Sequence, residues 1–151
     1  MKLVVQRVEE AKVTRVSDGK VVGEIGRGLL VLVGFKKGDL SKTVEFLADK
    51  LSKLRVMSDE DDKMNFSVVD AKAKMLIVSQ FTLYADTKGG NRPSFISAEE
   101  PEKAKELYQF FVEKVRSNGI EVETGSFGDY MKIEANLDGP VTILYDEQNS
   151  D

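Results

Sequence analysis

Two stretches of this sequence are apolar at every position, Leu29-Leu30-Val31-Leu32-Val33 and Met75-Leu76-Ile77-Val78. A strand with one wet face alternates, so a short unbroken apolar run marks a strand covered on both faces. A helical period follows each run. Val44, Leu47, Ala48, Leu51 and Leu54 form one stripe, with Ser41 as the expected N-cap. Ala104, Leu107, Tyr108, Phe111, Val112 and Val115 form another, with Pro101 in its first turn and Asn118-Gly119 at its end. Two helices cover one face of a sheet, and the other face needs a second sheet or a second copy of the chain. The expected architecture is α/β: a three-layer single domain over 1–146, with two packed β-sheets and two main helices, dimeric. A polar tail, expected to fray, follows over 147–151.

The remaining strands are expected from Leu3 to Val8, Val13 to Val16, Lys20 to Ile25, Arg55 to Met57, Ile120 to Glu123, Tyr130 to Ala135 and Val141 to Tyr145. Asp18-Gly19 is a hairpin signal between the second and third. Asp138-Gly139-Pro140 reads as a turn between the last two. A Gly-Pro bond also takes the cis form at a cost of only about 0.5–1 kcal/mol. The acidic run Asp59-Glu60-Asp61-Asp62 lacks the spacing and the glycine of a calcium loop and reads as a solvated turn.

The chain has no histidine and no cysteine. That removes Ser-His-Asp and Cys-His catalysis, disulfides and the usual imidazole or thiolate metal sites. Chemistry is left to hydroxyls, carboxylates, amines, main-chain groups and whatever the substrate brings; no cofactor and no metal is expected. With 22 basic and 26 acidic residues the net charge is -4, so contact with nucleic acid needs a local basic patch. Candidates are Lys36, Lys37, Lys53, Lys88 and Arg92. No apolar run approaches the ~18 residues of a membrane span, and the opening Met1-Lys2-Leu3-Val4-Val5-Gln6-Arg7 lacks the features of a signal peptide, so a cytoplasmic location is expected.

Three segments have the composition of a site. Ser79-Gln80-Phe81-Thr82-Leu83 puts polar residues at the end of a buried strand, a common position for active sites in α/β folds; it reads equally as a strand end bonded to nearby main chain. Lys88-Gly89-Gly90-Asn91-Arg92 joins two glycines to two cations, which suits an anion or simply a mobile loop, and it has no P-loop pattern. Asn136-Leu137-Asp138-Gly139-Pro140-Val141-Thr142 contains the Gly-Pro pair, a rigid projection with little side chain.

In order, Val4-Val5-Gln6-Arg7-Val8, Gly28 to Gly34, Lys63-Met64-Asn65, Ser79-Gln80-Phe81-Thr82-Leu83, Asn91-Arg92-Pro93-Ser94-Phe95, Gly125-Ser126-Phe127-Gly128 and Asp138-Gly139-Pro140-Val141-Thr142 resemble the motifs of the D-aminoacyl-tRNA deacylases, formerly D-tyrosyl-tRNA deacylases. One position departs: Leu137 stands where the family has asparagine, and an asparagine sits one step earlier, at Asn136. The resemblance implies a homodimer that hydrolyses the ester joining a D-amino acid, or misattached glycine, to the terminal adenosine of tRNA. It implies that Gly139 and Pro140 are cis and enter the other subunit's pocket as a chiral filter. Ser79, Gln80, Phe81 and Thr82 then line that pocket, Phe127 packs on the terminal adenine, and Met131 lies near the substrate amine. Lys88 and Arg92 are expected contacts to tRNA. Read from the residues alone, a Ser/Thr esterase for small molecules, a non-catalytic tRNA-binding dimer and a nucleotide-binding regulator stay open.

Overall fold

The computed structural model describes residues 1–146, so the tail expected over 147–151 lies outside the described residues. Strand β1 (Lys2–Arg15) organises everything else. Leu3 pairs with both Val33 of β3 (Gly28–Gly34) and Tyr145 of β8 (Met131–Tyr145), so β3 and β8 occupy opposite edges of β1. Further along, Ala11 pairs with Ile25 of β2 (Val21–Ile25) and with Ala135 of β8. Beyond β3 the sheet continues in parallel through β6 (Lys74–Ser79) to β7 (Glu121–Thr124). A separate antiparallel ribbon joins β4 (Met57–Ser58) to β5 (Met64–Phe66).

The sheet serves two cores because β1 changes face. Leu3 and Val5 pack on the helix side with Val31, Val33, Met75 and Ile77, whereas Val8, Ala11 and Val13 pack on the far side with Ile25, Leu30, Leu76 and Val78. Side chains alternate along a strand, so Val8 and Ala11 share a face only if one residue is absorbed between them. The ladder with β8 shows that irregularity between Val8 and Glu10. Beyond it, β1 carries β2 and β8 over the second face of β3 and β6. The fit is close at Gly23, where a Cβ would stand 2.3 Å from the Thr124 carbonyl oxygen of β7. The cover expected as a second packed sheet is therefore the bent continuation of the first, and the second sheet is the small β4–β5 ribbon.

On the first face lie α1 (Ser41–Ser52) and α2 (Pro101–Ser117). Helix α2 buries Leu107, Tyr108, Phe111, Val112 and Val115, on the order of 10 kcal/mol of gross burial before conformational entropy is counted. Pro101 occupies its first turn and Asn118 ends it, as expected. Helix α1 starts one residue earlier than its N-cap serine would place it. Leu40 holds the cap position without a side-chain bond and Ser41 is already helical, because the Asp39 carboxylate holds the preceding bend by accepting from Lys36 N–H at 2.8 Å. Asp59 accepts main-chain N–H bonds from Asp61 and Lys63, both at 2.9 Å, and an amide bond from Asn65 at 2.6 Å. Its carboxyl is held below the usual range by these donors, the Asn65 amide first. The acidic run is a self-satisfied turn.

Two expected breaks are missing. The runs on either side of residues 9–12 form one strand, and the Asp138-Gly139-Pro140 turn lies inside β8.

Candidate active site

Parallel strands β3, β6 and β7 end at one rim, where open α/β sheets place their ligands. From β6 the chain enters a 3-10 turn over Phe81–Tyr84, and from β7 it enters the segment 125–128, tied to β6 by a 3.1 Å bond from Gly125 N–H to the Ile77 carbonyl.

Main-chain bonds fix the 3-10 turn. Gln80 N–H donates to Val33 O at 2.7 Å, Leu83 N–H to Gln80 O at 3.3 Å and Ala85 N–H to Thr82 O at 3.1 Å. Lys2 Nζ donates to the Leu83 carbonyl at 3.4 Å. Gly34 lets the turn sit this low, since a Cβ there would stand 2.9 Å from Gln80 O and 3.1 Å from Leu83 Cβ. The first N–H groups of a helical turn have no partner within it. With those of Gln80 and Leu83 committed, the N–H groups of Phe81 and Thr82 are left without a main-chain partner among the described residues.

Gln80 Nε2 donates to Thr82 Oγ1. Whichever way the amide is turned, an amide takes no proton near neutral pH, so this partner does not make Thr82 a nucleophile. Phe81 is 57% exposed and its ring meets Phe95 edge-on, centroids 5.2 Å apart at 73°. That contact pins the return of the loop carrying Lys88 and Arg92. Asp86 and Ser94 close this loop with two main-chain bonds of 2.8 Å, and Lys88 N–H caps the Asp86 carboxylate at 2.9 Å.

Beside the turn, Ser126 N–H donates to Met131 Sδ at 3.2 Å, and Met131 fills the space a side chain at Gly125 would need. Phe127 leans on Tyr108, centroids 5.6 Å apart at 45°, and lines a cleft of ≈ 610 Å³ between α2 and the end of β7. Tyr108 donates its hydroxyl to Ile77 O at 2.8 Å, and burial pushes its pKa up to about 12 against a smaller opposing pull from Arg116. Ser79, Gln80, Phe81, Thr82, Phe127 and Met131 thus share one rim.

Gly139 and Pro140 do not join them in the same chain. Between Leu137 and Thr142 strand β8 takes five steps while β1 takes two, from Val8 to Gln6, so the residues between are thrown out of the ladder. The Gly139–Pro140 bond is cis, and both residues are exposed. The corner is held from behind. Arg7, buried at 9% exposure, places Nε 3.0 Å from Asp138 Oδ2 and 3.4 Å from Asp138 O, and Nη1 2.9 Å from Val56 O and 3.3 Å from Ser58 Oγ. Asn136 donates to Glu9 at 3.2 Å and Leu137 is 45% exposed, so neither of them braces the corner.

Sequence reasoning missed Arg7. It stood in the opening motif with no role assigned, and its signal as a brace was parity: Arg7 follows Leu3 and Val5 on a buried face, where a lone cation needs partners. Ladder spacing separates the corner from the rim. The corner lies opposite Arg7, which faces Leu29, while Ser79 faces Val33; four residues along the strands and three strand spacings across amount to about 20 Å.

The basic candidates also divide. Lys36 bridges to Ala98, and Lys37 pairs with Glu100 at 3.2 Å. Lys53 lies at the other end of α1, about 18 Å away. Lys88 and Arg92 are the two that the fold attaches to the 3-10 turn.

No helix among the described residues is long and apolar enough to cross a membrane. The D-Tyr-tRNA(Tyr) deacylase family profile matches residues 4–146. The chain is 54% identical over 146 residues to a D-aminoacyl-tRNA deacylase of Thermotoga petrophila, covering 97% of each chain. It is 50% identical over 149 residues to one of Thermosipho melanesiensis, covering 98% of each. Among solved structures, a "c-Myc DNA Unwinding Element Binding Protein" superposes with a TM-score of 0.89 at 40% identity, over 97% of this chain and 99% of that one. A probable eukaryotic D-amino acid tRNA deacylase, 17% identical, shares the fold with a TM-score of 0.82 over 95% and 97%. The profile match and these full-length relatives place the chain in the D-Tyr-tRNA(Tyr) deacylase family.

Proposed function

We propose that this protein hydrolyses the ester of D-aminoacyl-tRNA, and of glycine attached to the wrong tRNA, and spares L-aminoacyl-tRNA. The observation that carries this reading is the braced corner at Asp138-Gly139-Pro140, exposed, poor in side chain and about 20 Å from the rim it would serve. A corner so far from the rim of its own chain fits the rim of a second copy, so the working form is a homodimer with two composite sites.

Enantiomers bury equal areas, so a pocket separates them only by shape. It fixes the amine, the ester carbonyl and the α-hydrogen, and fills the fourth direction with atoms that do not yield. An L side chain meets the corner, at the ~1–3 kcal/mol or more of overpacking. A D side chain points outward, and its identity matters little. Glycine has no side chain to exclude and enters. This is proofreading by exclusion.

For catalysis, the N–H groups of Phe81 and Thr82 stabilise the oxyanion. Phe127 receives the terminal adenine, Met131 borders the amine, and the neighbouring ribose hydroxyl of the tRNA activates water. Lys88 and Arg92 contact tRNA phosphates. The substrate places the reaction in the cytoplasm.

The test is to incubate D-Tyr-tRNA, L-Tyr-tRNA and Gly-tRNA in parallel with the protein and with Pro140→Ala. The reading expects release from the D and glycyl substrates only, and leakage toward the L substrate when the ring is removed. Equal release from D- and L-Tyr-tRNA by the unaltered protein overturns it.

A further inference from the structure

The cleft beside Phe127 is longer than one base requires. Its wall on α2 presents Lys105, Gln109, Val112, Glu113 and Arg116, one stripe at helical spacing. From Lys105 to Arg116 that stripe runs about 16 Å, three turns of helix. Phe127 is backed by Tyr108, so one side of its ring is already used and the nucleoside it receives lies on the other.

The two cations of the stripe differ. Arg116 sits at the foot of the cleft, where Nη2 donates to Val122 O at 2.9 Å. Lys105 lies toward the start of α2. That helix runs back from the rim to the start of β7, so Lys105 stands at the rim end, and it forms no ion pair among the described residues. The neighbouring Lys103 and Lys114 are both paired, with Glu106 at 3.4 Å and Glu45 at 2.7 Å. In a chain of net charge -4, an uncommitted cation beside an aromatic in an open cleft is complementary to a nucleotide phosphate.

We propose that the α2 cleft is a second nucleotide subsite, which takes the nucleotide preceding the terminal adenosine of the RNA. Lys105 contacts the phosphate joining the two nucleotides and Gln109 the ribose or base. The inference rests on the reading of Phe127 as the adenine platform and extends it from a nucleoside to a single-stranded 3′ end. It makes the enzyme's RNA contact begin within the site, ahead of any contact by the Lys88–Arg92 loop.

Two probes separate the inference from its parent. One is adenosine carrying D-tyrosine through a stable 3′-amide; the other is the dinucleotide CpA carrying the same group. Binding of both is measured by calorimetry at several salt concentrations, with the unaltered protein, Lys105→Ala and Lys105→Glu. The dinucleotide is expected to bind about fivefold more tightly at low salt, with a log K against log salt slope more negative by about 0.7 for its one added phosphate contact. Both variants lose that gain and keep the affinity for the adenosine probe. A dinucleotide gain that survives both variants, or no gain at all, overturns the subsite and leaves the deacylase reading intact. Failure to bind either probe overturns both. Loss of adenosine binding in Lys105→Ala also overturns the subsite, because Lys105 would then belong to the adenine platform itself.

Discussion

The two halves of the proposed site are held by opposite means. The 3-10 turn after β6 is fixed by its own main chain, through Gln80, Leu83 and Ala85 N–H, and by the absence of a side chain at Gly34. The corner at Asp138-Gly139-Pro140 has left the main-chain ladder and depends on one side chain, Arg7. A part that polarises a carbonyl is best made of backbone, which presents N–H groups without rotamer freedom. A part that excludes one enantiomer needs atoms thrown forward and supported from behind. The turn should therefore tolerate loss of its side chains and fail when its backbone is pushed, and the corner should fail when its one supporting side chain is removed.

The largest effect is expected from Arg7→Met. It leaves Asp138 and the Val56 carbonyl without their donor, at about 1–3 kcal/mol in a urea-unfolding series. It also releases the corner, so the ratio of D- to L-Tyr-tRNA turnover drops by about tenfold or more; an unchanged ratio would remove the corner's dependence on Arg7. Next is Gly34→Ala, whose Cβ drives against Gln80 O and Leu83 Cβ. Turnover of D-Tyr-tRNA should fall about tenfold with the D/L ratio preserved, because the proposed mechanism has the Phe81 and Thr82 N–H groups moving while the corner stays in place. Thr82→Val should cost less, about threefold in single-turnover rate. Abolished turnover with intact binding would mean that the hydroxyl reacts.

The smallest effect separates packing from chemistry. Tyr108 has its pKa raised by burial to about 12, above the value of about 10 for an unfolded chain. The folded state holds this proton more tightly, so the associated stability is complete below pH 10 and is lost as pH rises toward 12. Burial also raises Tyr84 and Tyr145. Tyr108→Phe should flatten part of the fall in stability between pH 10 and 12, at a cost near neutral pH of about 1 kcal/mol from the lost bond to Ile77 O.

What could be read in the sequence follows from which signals are local. Helix α2 was legible to within a residue, because its stripe, Pro101 and Asn118-Gly119 all lie in one stretch. The buried strands β3 and β6 were legible from composition. The course of β8 was not: Asp-Gly-Pro has the same local chemistry in a turn and in a bulge, and only pairing with β1 tells them apart. Arg7 was illegible as a brace because its partner Asp138 lies 131 residues away. The segment Ser79–Leu83 stood out by its place at the end of a buried strand, Gly125–Gly128 was found only by resemblance, and the fold supplies the physical link between them in the Gly125–Ile77 bond. Leu137 was a puzzle in sequence only, since the support seen here comes from Arg7.

The most direct test of a site shared between copies uses two damaged chains. Gly34→Ala spoils the turn and keeps the corner; Arg7→Met spoils the corner and keeps the turn. The chains are unfolded together, refolded as a mixture and assayed on D- and L-Tyr-tRNA. If each site takes its turn from one chain and its corner from the other, about a quarter of the sites have both parts intact and about a quarter have both spoiled, so L-Tyr-tRNA turnover falls to about half of the mean of the two variants while D-Tyr-tRNA turnover stays near that mean. A mixture that only averages the two variants, with D/L selectivity no better than that mean, would place turn and corner in the same chain and contradict the account.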